Sequence, residues 1–376
     1  MRTTAAVLDS QKSQFTVEEV EIDEPRAGEV LVRLIASGVC HTDAVAQQGD
    51  LPFPAPGVLG HEGVGRIEAL GDGVTGHEIG DTVMLGWPWC GRCRNCLAGQ
   101  PRYCMQLAPL LIGGGRTDGS TSLRKLDGSP LHSHFFGQSS FAHHAIVDPS
   151  SLVPISTTAP TEAVGVLACG IATGAGAVLN TLQLGPGDSL VVFGGGAVGL
   201  AAVMAARLTP TTTIVVVEPN PVRRELALKL GATEVIDPGA VDVVPTIHEI
   251  CKGTADAALD CTGIPAVIRQ TIDSVGMLGT AVLIGAAPAG AEFSADHLTT
   301  LWGKRIVGTL GGESQSPRFV PALLALHDQG RFPFTDLIQY FPLTEINEAM
   351  EASKHGDVVK PVLRLSESDL DTKGQS

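Results

Sequence analysis

Four of the chain's eight cysteines fall in one short stretch, WCGRCRNCLAGQPRYC, at Cys90, Cys93, Cys96 and Cys104. Thiolates spaced this closely along a Gly- and Arg-containing loop can close a tetrahedron around one zinc ion. A second set of donors is dispersed: Cys40 opens CHTD, His61 lies in GHE, and Cys169 sits in ACGIATG. A closed four-thiolate site beside a separate Cys/His set points to a metalloenzyme rather than a fold merely stapled by zinc. Two disulfides are the rival reading of the cluster. That reading needs an oxidising compartment, and the opening residues MRTTAAVLDSQKSQF show no apolar signal-peptide core. The expected setting is therefore a reducing cytoplasm. Cys251 and Cys261 read as small core hydrophobes. His132, His134, His143 and His144 read as loop and strand-edge residues rather than a third metal site.

A nucleotide site is suggested by Gly194-Gly195-Gly196-Ala197-Val198-Gly199, a G-x-G-x-x-G. Alone that pattern says little. Here it follows the apolar run SLVVF, opens the helical run AVGLAAVMAARL, and precedes TTIVVVE, which ends in Glu218, 19 residues beyond Gly199. Such glycines let the backbone approach a pyrophosphate at a helix N-terminus, and an acid at this spacing binds ribose hydroxyls. A carboxylate there repels a 2′-phosphate, so NAD is the expected cofactor. Arg223 and Arg224, five and six residues beyond Glu218, leave NADP as the alternative. The run 189–206 carries no charge and matches a bilayer in length, but three consecutive glycines break it.

The elements that must position these residues divide in character near residue 160. A chain of 376 residues suggests two domains, each with its own core. Aromatics are only 4% of residues, so those cores must be built from Ala, Val, Leu and Ile. A net charge of −15 argues against a nucleic-acid partner, because phosphate binding needs a cationic surface. Before residue 155, FTVEEVEI, EVLVRLIA, GVGRIEAL and DTVML read as strands, and residues 105–150 as loop-rich. After it, TEAVGVLACGIATGAGAVLN reads as a helix, followed by strands and helices in alternation. That alternation predicts a doubly wound parallel sheet. PRFVPALLALHDQG and TEINEAMEASKHG read as helices, KPVLRL as a closing strand, and SESDLDTKGQS as a frayed tail.

Taken together, these motifs resemble the zinc-dependent medium-chain alcohol dehydrogenases, over about Val30 to Leu365. GHEGVGRIEALG (60–71) matches that family's G-H-E-x2-G-x5-G signature, and the four-cysteine cluster matches in order and spacing. The resemblance implies an α/β fold: a GroES-like β-rich catalytic domain (1–170, completed by 311–376) and a Rossmann NAD-binding domain (171–310). It implies two zinc ions per subunit. Cys40, His61 and Cys169 would hold a catalytic ion with one position open to substrate oxygen, and Cys90, Cys93, Cys96 and Cys104 a structural one. Glu62 resembles an acid behind the metal, and Asp43 a carboxylate that orients His61. Thr42 matches the hydroxyl that takes the alcohol's proton. In liver-type members a histidine three residues on continues the relay; Val45 stands there in this chain. His41 and Lys360 match residues that contact the cofactor pyrophosphate, and Thr173 one beside the nicotinamide. Gly194, Gly196, Ala197, Val198, Gly199, Glu218 and Arg223 complete the expected cofactor site. A homodimer or homotetramer is also implied.

The substrate is the least legible part. Trp87 and Trp89 precede the cysteine cluster, and with Leu51 they are expected to wall an apolar channel. Two tryptophans and Val45 are reminiscent of the aryl-alcohol branch, so the expected reaction oxidises an aromatic or allylic primary alcohol to its aldehyde. A formaldehyde–thiol adduct and simple aliphatic alcohols are the alternatives within enzymes. A zinc- and NAD-binding protein without turnover is the alternative outside them.

Overall fold

The computed structural model describes residues 1–365 and folds them into two units. The first comprises Met1–Cys169, Gln315–Asp328 and the chain from Thr335 onward; the second comprises Gly170–Ser314 and Gln329–Phe334. The tail 366–376, expected to fray, lies outside the described residues. The second unit thus takes a short segment that the sequence expectation gives to the first, and that segment carries the fully buried Phe332 and Phe334.

The first unit is built on two sheets. One runs in the order Gly57–Val58, Arg2–Leu8, Thr16–Ile22, Leu123–Lys125, Pro130–Leu131. The other runs Leu152–Pro154, Thr82–Leu85, Gly63–Leu70, Val30–Gly38, Lys360–Arg364, Ile338–Pro342, with His144–Val147 also paired to Val30–Gly38. The closing strand pairs antiparallel with Val30–Gly38 (Val362 opposite Gly38), so the chain's far end completes this sheet. Val30–Gly38 is apolar on nearly every residue because it is covered on both faces; Arg33 is its one exposed residue. The sheet therefore has its center where Cys40 and His61 begin their excursions.

In the second unit six parallel strands run Glu234–Ile236, Thr213–Val217, Ser189–Phe193, Ala255–Asp260, Val275–Leu283, Arg305–Gly308. In chain order this is 3-2-1-4-5-6, the doubly wound arrangement. Its direction of winding reverses between Ser189–Phe193 and Ala255–Asp260, where such sheets bind dinucleotides at their carboxyl ends. The charge-free run 189–206 is a strand (Ser189–Phe193), a glycine turn and a helix (Ala197–Ala206). Among the described residues no single helix is long and apolar enough to cross a membrane.

One expectation fails instructively. The segment 161–180 is not one helix. It runs as Thr161–Val164, then a 3₁₀ turn Gly165–Ala168, and breaks at Cys169 (φ −132°, ψ −100°) before Gly170–Gly176. Gly165 crosses the chain at His61–Gly63 so closely that a Cβ would lie 2.2 Å from the Glu62 carbonyl oxygen. The break turns Cys169 out of the helical path and toward that crossing.

The loop-rich segment is anchored by Arg116. Its guanidinium meets Asp23 at 2.9 Å and Glu29 at 2.6 and 3.1 Å, and donates to the Thr121 carbonyl at 2.8 Å. Burial pushes the Asp23 and Glu29 carboxyls up, but the paired arginines outweigh it and hold both below their usual range. A depressed carboxylate pKa contributes stability above its unfolded value, near pH 4, and that contribution is lost as the pH falls through the folded value. Arg116→Ala should therefore cost about 2–3 kcal/mol at neutral pH and less below about pH 4. Urea unfolding at pH 7 and pH 3.5 checks this; an equal loss at both would show that the ion pairs are not the source.

Candidate active site

The dispersed donor set is assembled from three places in the first unit. Cys40 is the N-cap of the helix His41–Gln48, His61 and Glu62 precede the strand Gly63–Leu70, and Cys169 stands at the helix break. One ligand atom from each of Cys40, His61, Glu62 and Cys169 lies within 4.8 Å of the others. Asp43 organises them. Its Oδ2 accepts the Cys40 backbone N–H at 2.9 Å, and its Oδ1 accepts from Gly60 N–H at 3.2 Å and meets His61 Nδ1 at 3.0 Å. With Nδ1 committed to Asp43, Nε2 of His61 is buried without a hydrogen-bond partner. A buried, unpartnered imidazole nitrogen among two sulfurs is a metal ligand's geometry, so the donor set fits a zinc ion. The Cys169 thiol donates toward Cys40, which lowers the Cys40 pKa and raises that of Cys169.

Glu62 is fully buried. Burial pushes its carboxyl up to about 7, with the Lys360 ammonium pulling the other way. The resemblance expects Lys360 at the cofactor pyrophosphate; the structure places its ammonium against Glu62. Lys360 is 2% exposed, lies 2.7 Å from either Glu62 oxygen, and donates to the Val39 carbonyl at 3.0 Å. A carboxylate buried this completely requires a countercharge, and Lys360 supplies it.

The four-cysteine loop also fits zinc. A tetrahedron with bonds of about 2.3 Å separates its sulfurs by about 3.8 Å. Cys93 and Cys96 Sγ are 3.5 Å apart, and Cys90 and Cys96 Sγ 4.0 Å. Backbone N–H groups of Cys90 and Gln106 point at Cys104 Sγ, and that of Met105 at Cys93 Sγ, each at 3.4 Å. Amides directed at sulfur stabilise thiolate charge; those from Met105 and Cys96 lead in holding Cys93 down to about 6. These two groups are the metal-competent clusters of His, Cys, Asp and Glu among the described residues. The four histidines fall elsewhere: His144 bridges Thr3 and Glu68, His132 faces the Gly114 carbonyl, and burial pushes His134 down to about 4.

In the second unit the glycine turn has separable roles. Gly194 takes φ +99°, and a Cβ at Gly199 would lie 1.9 Å from the Gly194 carbonyl oxygen. Gly196 is the N-cap of Ala197–Ala206, has no side-chain cap, and faces open space where a Cβ would meet nothing within 4 Å. Uncapped amides facing an open cradle fit a dinucleotide pyrophosphate. Ala197 and Val198 begin the helix. Glu218 follows Thr213–Val217, with Oε2 accepting from Gly195 N–H at 2.6 Å and Oε1 from Asn220 N–H at 2.8 Å. Arg224 is spent on the Glu218 and Pro219 carbonyls and on Asp237. Arg223, half-buried, keeps an unpartnered Nε. Thr173 is buried in Gly170–Gly176.

Of the expected site residues in the first unit, Thr42 lies 3.7 Å from Cys40 Sγ through its hydroxyl, and His41 is exposed at the start of the same helix. Leu51 and Trp89 are half-buried. Trp87 is buried rather than lining an open channel: its ring lies under Arg102 at 4.5 Å and meets Phe136 edge-on at 5.2 Å. Phe136 in turn stacks on His61 at 4.5 Å, with Phe135 edge-on at 5.6 Å and Phe53 against Phe135 at 5.0 Å. Sequence reasoning missed Phe135, Phe136, Arg102 and Gln138. Gln138 receives the Gly63 amide and donates to the carbonyls of His61 and Leu85. The available signal was HFFGQSSF, an aromatic pair in a polar loop. Its His134, Phe136 and Ser139 all take left-handed backbone, a strain that collects at functional sites.

Residues 26–157 match the alcohol dehydrogenase GroES-like domain family, and residues 197–327 match the zinc-binding dehydrogenase family. The chain is 43% identical to geraniol dehydrogenase of Castellaniella defragrans over 96% of each protein. Its fold is similar to the crystal structure of benzyl alcohol dehydrogenase from Acinetobacter calcoaceticus (TM-score 0.94, 38% identity, 97% of this chain and 100% of that one). It is similar likewise to an alcohol dehydrogenase zinc-binding domain protein from Burkholderia ambifaria (TM-score 0.95, 45% identity, 98% and 100%). With both domain families matched and near-full-length relatives above 40% identity, the chain belongs to the zinc-binding medium-chain alcohol dehydrogenase family.

Proposed function

We propose that this protein oxidises a primary alcohol with an aromatic or allylic carbinol to its aldehyde, using zinc and NAD. The observation that carries the reading is His61: one ring nitrogen is fixed by Asp43 and the other is aimed, buried and unpartnered, into a set of two cysteines and a glutamate. Zinc held by Cys40, His61 and Cys169 would supply Lewis acidity to the alcohol oxygen. The chain's own groups do the rest. Asp43 keeps the proton of His61 on Nδ1, and Glu62 with Lys360 provides a neutral pair behind the ligands. Thr42 accepts the hydroxyl proton; Val45 cannot pass it on, so water or another base takes it from there. Cys90, Cys93, Cys96 and Cys104 hold a second zinc that is structural.

The rings of Phe135 and Phe136 against His61, with Phe53 and Trp87 packed behind them, support a flat, unsaturated substrate, because aromatic surroundings reward π faces over short alkyl chains. The relatives named for geraniol, an allylic alcohol, and for benzyl alcohol agree with it. NAD is favoured over NADP by the Glu218 carboxylate at the strand end. Self-association is supported by Met277, Leu278, Leu298, Leu301 and Trp302, exposed apolar residues in the segments preceding the open edge strand Arg305–Gly308. A reducing cytoplasm suits eight free cysteines.

Cys40→Ser or His61→Ala should lower kcat by about a thousandfold or more while leaving NADH affinity nearly unchanged, measured by nucleotide fluorescence; parallel loss of both would sink the division of labour. Cys96→Ser should remove one of two zinc ions in elemental analysis and lower the thermal midpoint; full zinc content with unaltered melting would count against a structural ion. Across a panel from ethanol to benzyl and terpenoid alcohols, kcat/KM should favour the unsaturated ones by at least about tenfold. An ethanol optimum would refute the aromatic reading.

A further inference from the structure

The glycine motif contains one glycine more than its pattern requires. Gly194 provides the left-handed turn, Gly199 the close approach to the Gly194 carbonyl, and Gly196 the open cradle. Gly195 occupies a position the pattern leaves free, and its backbone is not in the left-handed region. Conformation therefore does not explain it. Its surroundings do: a Cβ at Gly195 would stand 2.9 Å from Glu218 Cγ, 3.1 Å from Oε2 and 3.3 Å from Cβ. The Glu218 side chain fills the space a side chain at 195 would need. It cannot readily swing away, because it is buried and each carboxylate oxygen is held by a backbone amide, Gly195 N–H at 2.6 Å and Asn220 N–H at 2.8 Å.

We propose that Gly195 is a specificity-determining residue, absent of side chain so that Glu218 can lie over it and present a fixed carboxylate to the cofactor's adenosine ribose. Each oxygen keeps a second lone pair for a ribose hydroxyl after accepting its amide. A carboxylate held at both oxygens cannot turn aside for a 2′-phosphate, so discrimination comes from the Gly195–Glu218 pair and not from the acid alone. The inference rests on the NAD reading and deepens it by naming the second member of the selectivity device.

The test is a double-mutant cycle read by NADH and NADPH fluorescence titration without alcohol, with thermal unfolding of each protein alongside. In the parent, Gly195→Ala should weaken NADH about tenfold or more, the scale of one lost charge-assisted hydrogen bond, and leave NADPH within about twofold. In Glu218→Ala, whose shortened side chain removes the obstructing Cγ and Oε2 and leaves only the Cβ contact, the same change should alter either nucleotide's affinity by less than about twofold. Should Gly195→Ala fail to fold, the double variant should recover folding, and its failure to do so would overturn the inference. Equal losses in the two backgrounds, or equal weakening of NADH and NADPH, would overturn it as well. A parent that prefers NADPH would instead overturn the NAD reading itself, and this inference with it.

Discussion

The metal-competent cluster around His61 depends on one carboxylate. Asp43 is fully buried, and its two oxygens take hydrogen bonds from the amides of Cys40 and Gly60 and the imidazole of His61. A buried carboxylate is costly unless its oxygens are hydrogen-bonded, and these three donors reach both of them. The result is that the helix start at Cys40 and the strand approach at His61 cannot move independently. The same bond to Nδ1 decides which nitrogen of His61 faces the sulfurs. Remove that carboxylate and the donor atoms would still be near one another, but their orientation would be left to chance.

Around this center the structure answers burial with pairing at each step. Glu62 is matched by Lys360, which reaches it from the closing strand of the chain. Gln138 satisfies three backbone groups beside His61 and Leu85. The aromatic residues of the strained 134–139 segment cover His61 and exclude water from one side of it. Excluding water strengthens each of these polar contacts, so the apolar stack and the ion pair support one another.

The nucleotide unit works by a different economy, that of missing side chains. Its turn is a series of positions where a Cβ would strike backbone, strike Glu218 or occupy the ligand's place. The parallel sheet fixes where the turn sits, at the reversal of strand order, and the helix behind it brings uncapped amides to the same point. Much of this was legible beforehand. The spacing of Gly194 to Glu218 and the alternation of strands and helices are local patterns, and the four-cysteine loop closes on itself within fifteen residues. The helix break at Cys169 was not legible, because a glycine- and alanine-rich run is compatible with helix. Shortly before the break, Gly165 packs on the crossing chain at Glu62, a contact about a hundred residues away in sequence.

Sequence alone thus determined the inventory: which residues can bind metal, which turn can receive a pyrophosphate, and which class of sheet follows. Those properties reside in side-chain chemistry and short-range periodicity, which need no partner to be read. Tertiary structure decided the assignments among them. It set Lys360 against Glu62, buried Trp87 beneath Arg102, and brought Phe136 onto His61. Each depends on which distant groups meet once the sheets close, because a buried charge or ring takes the partner that folding places beside it.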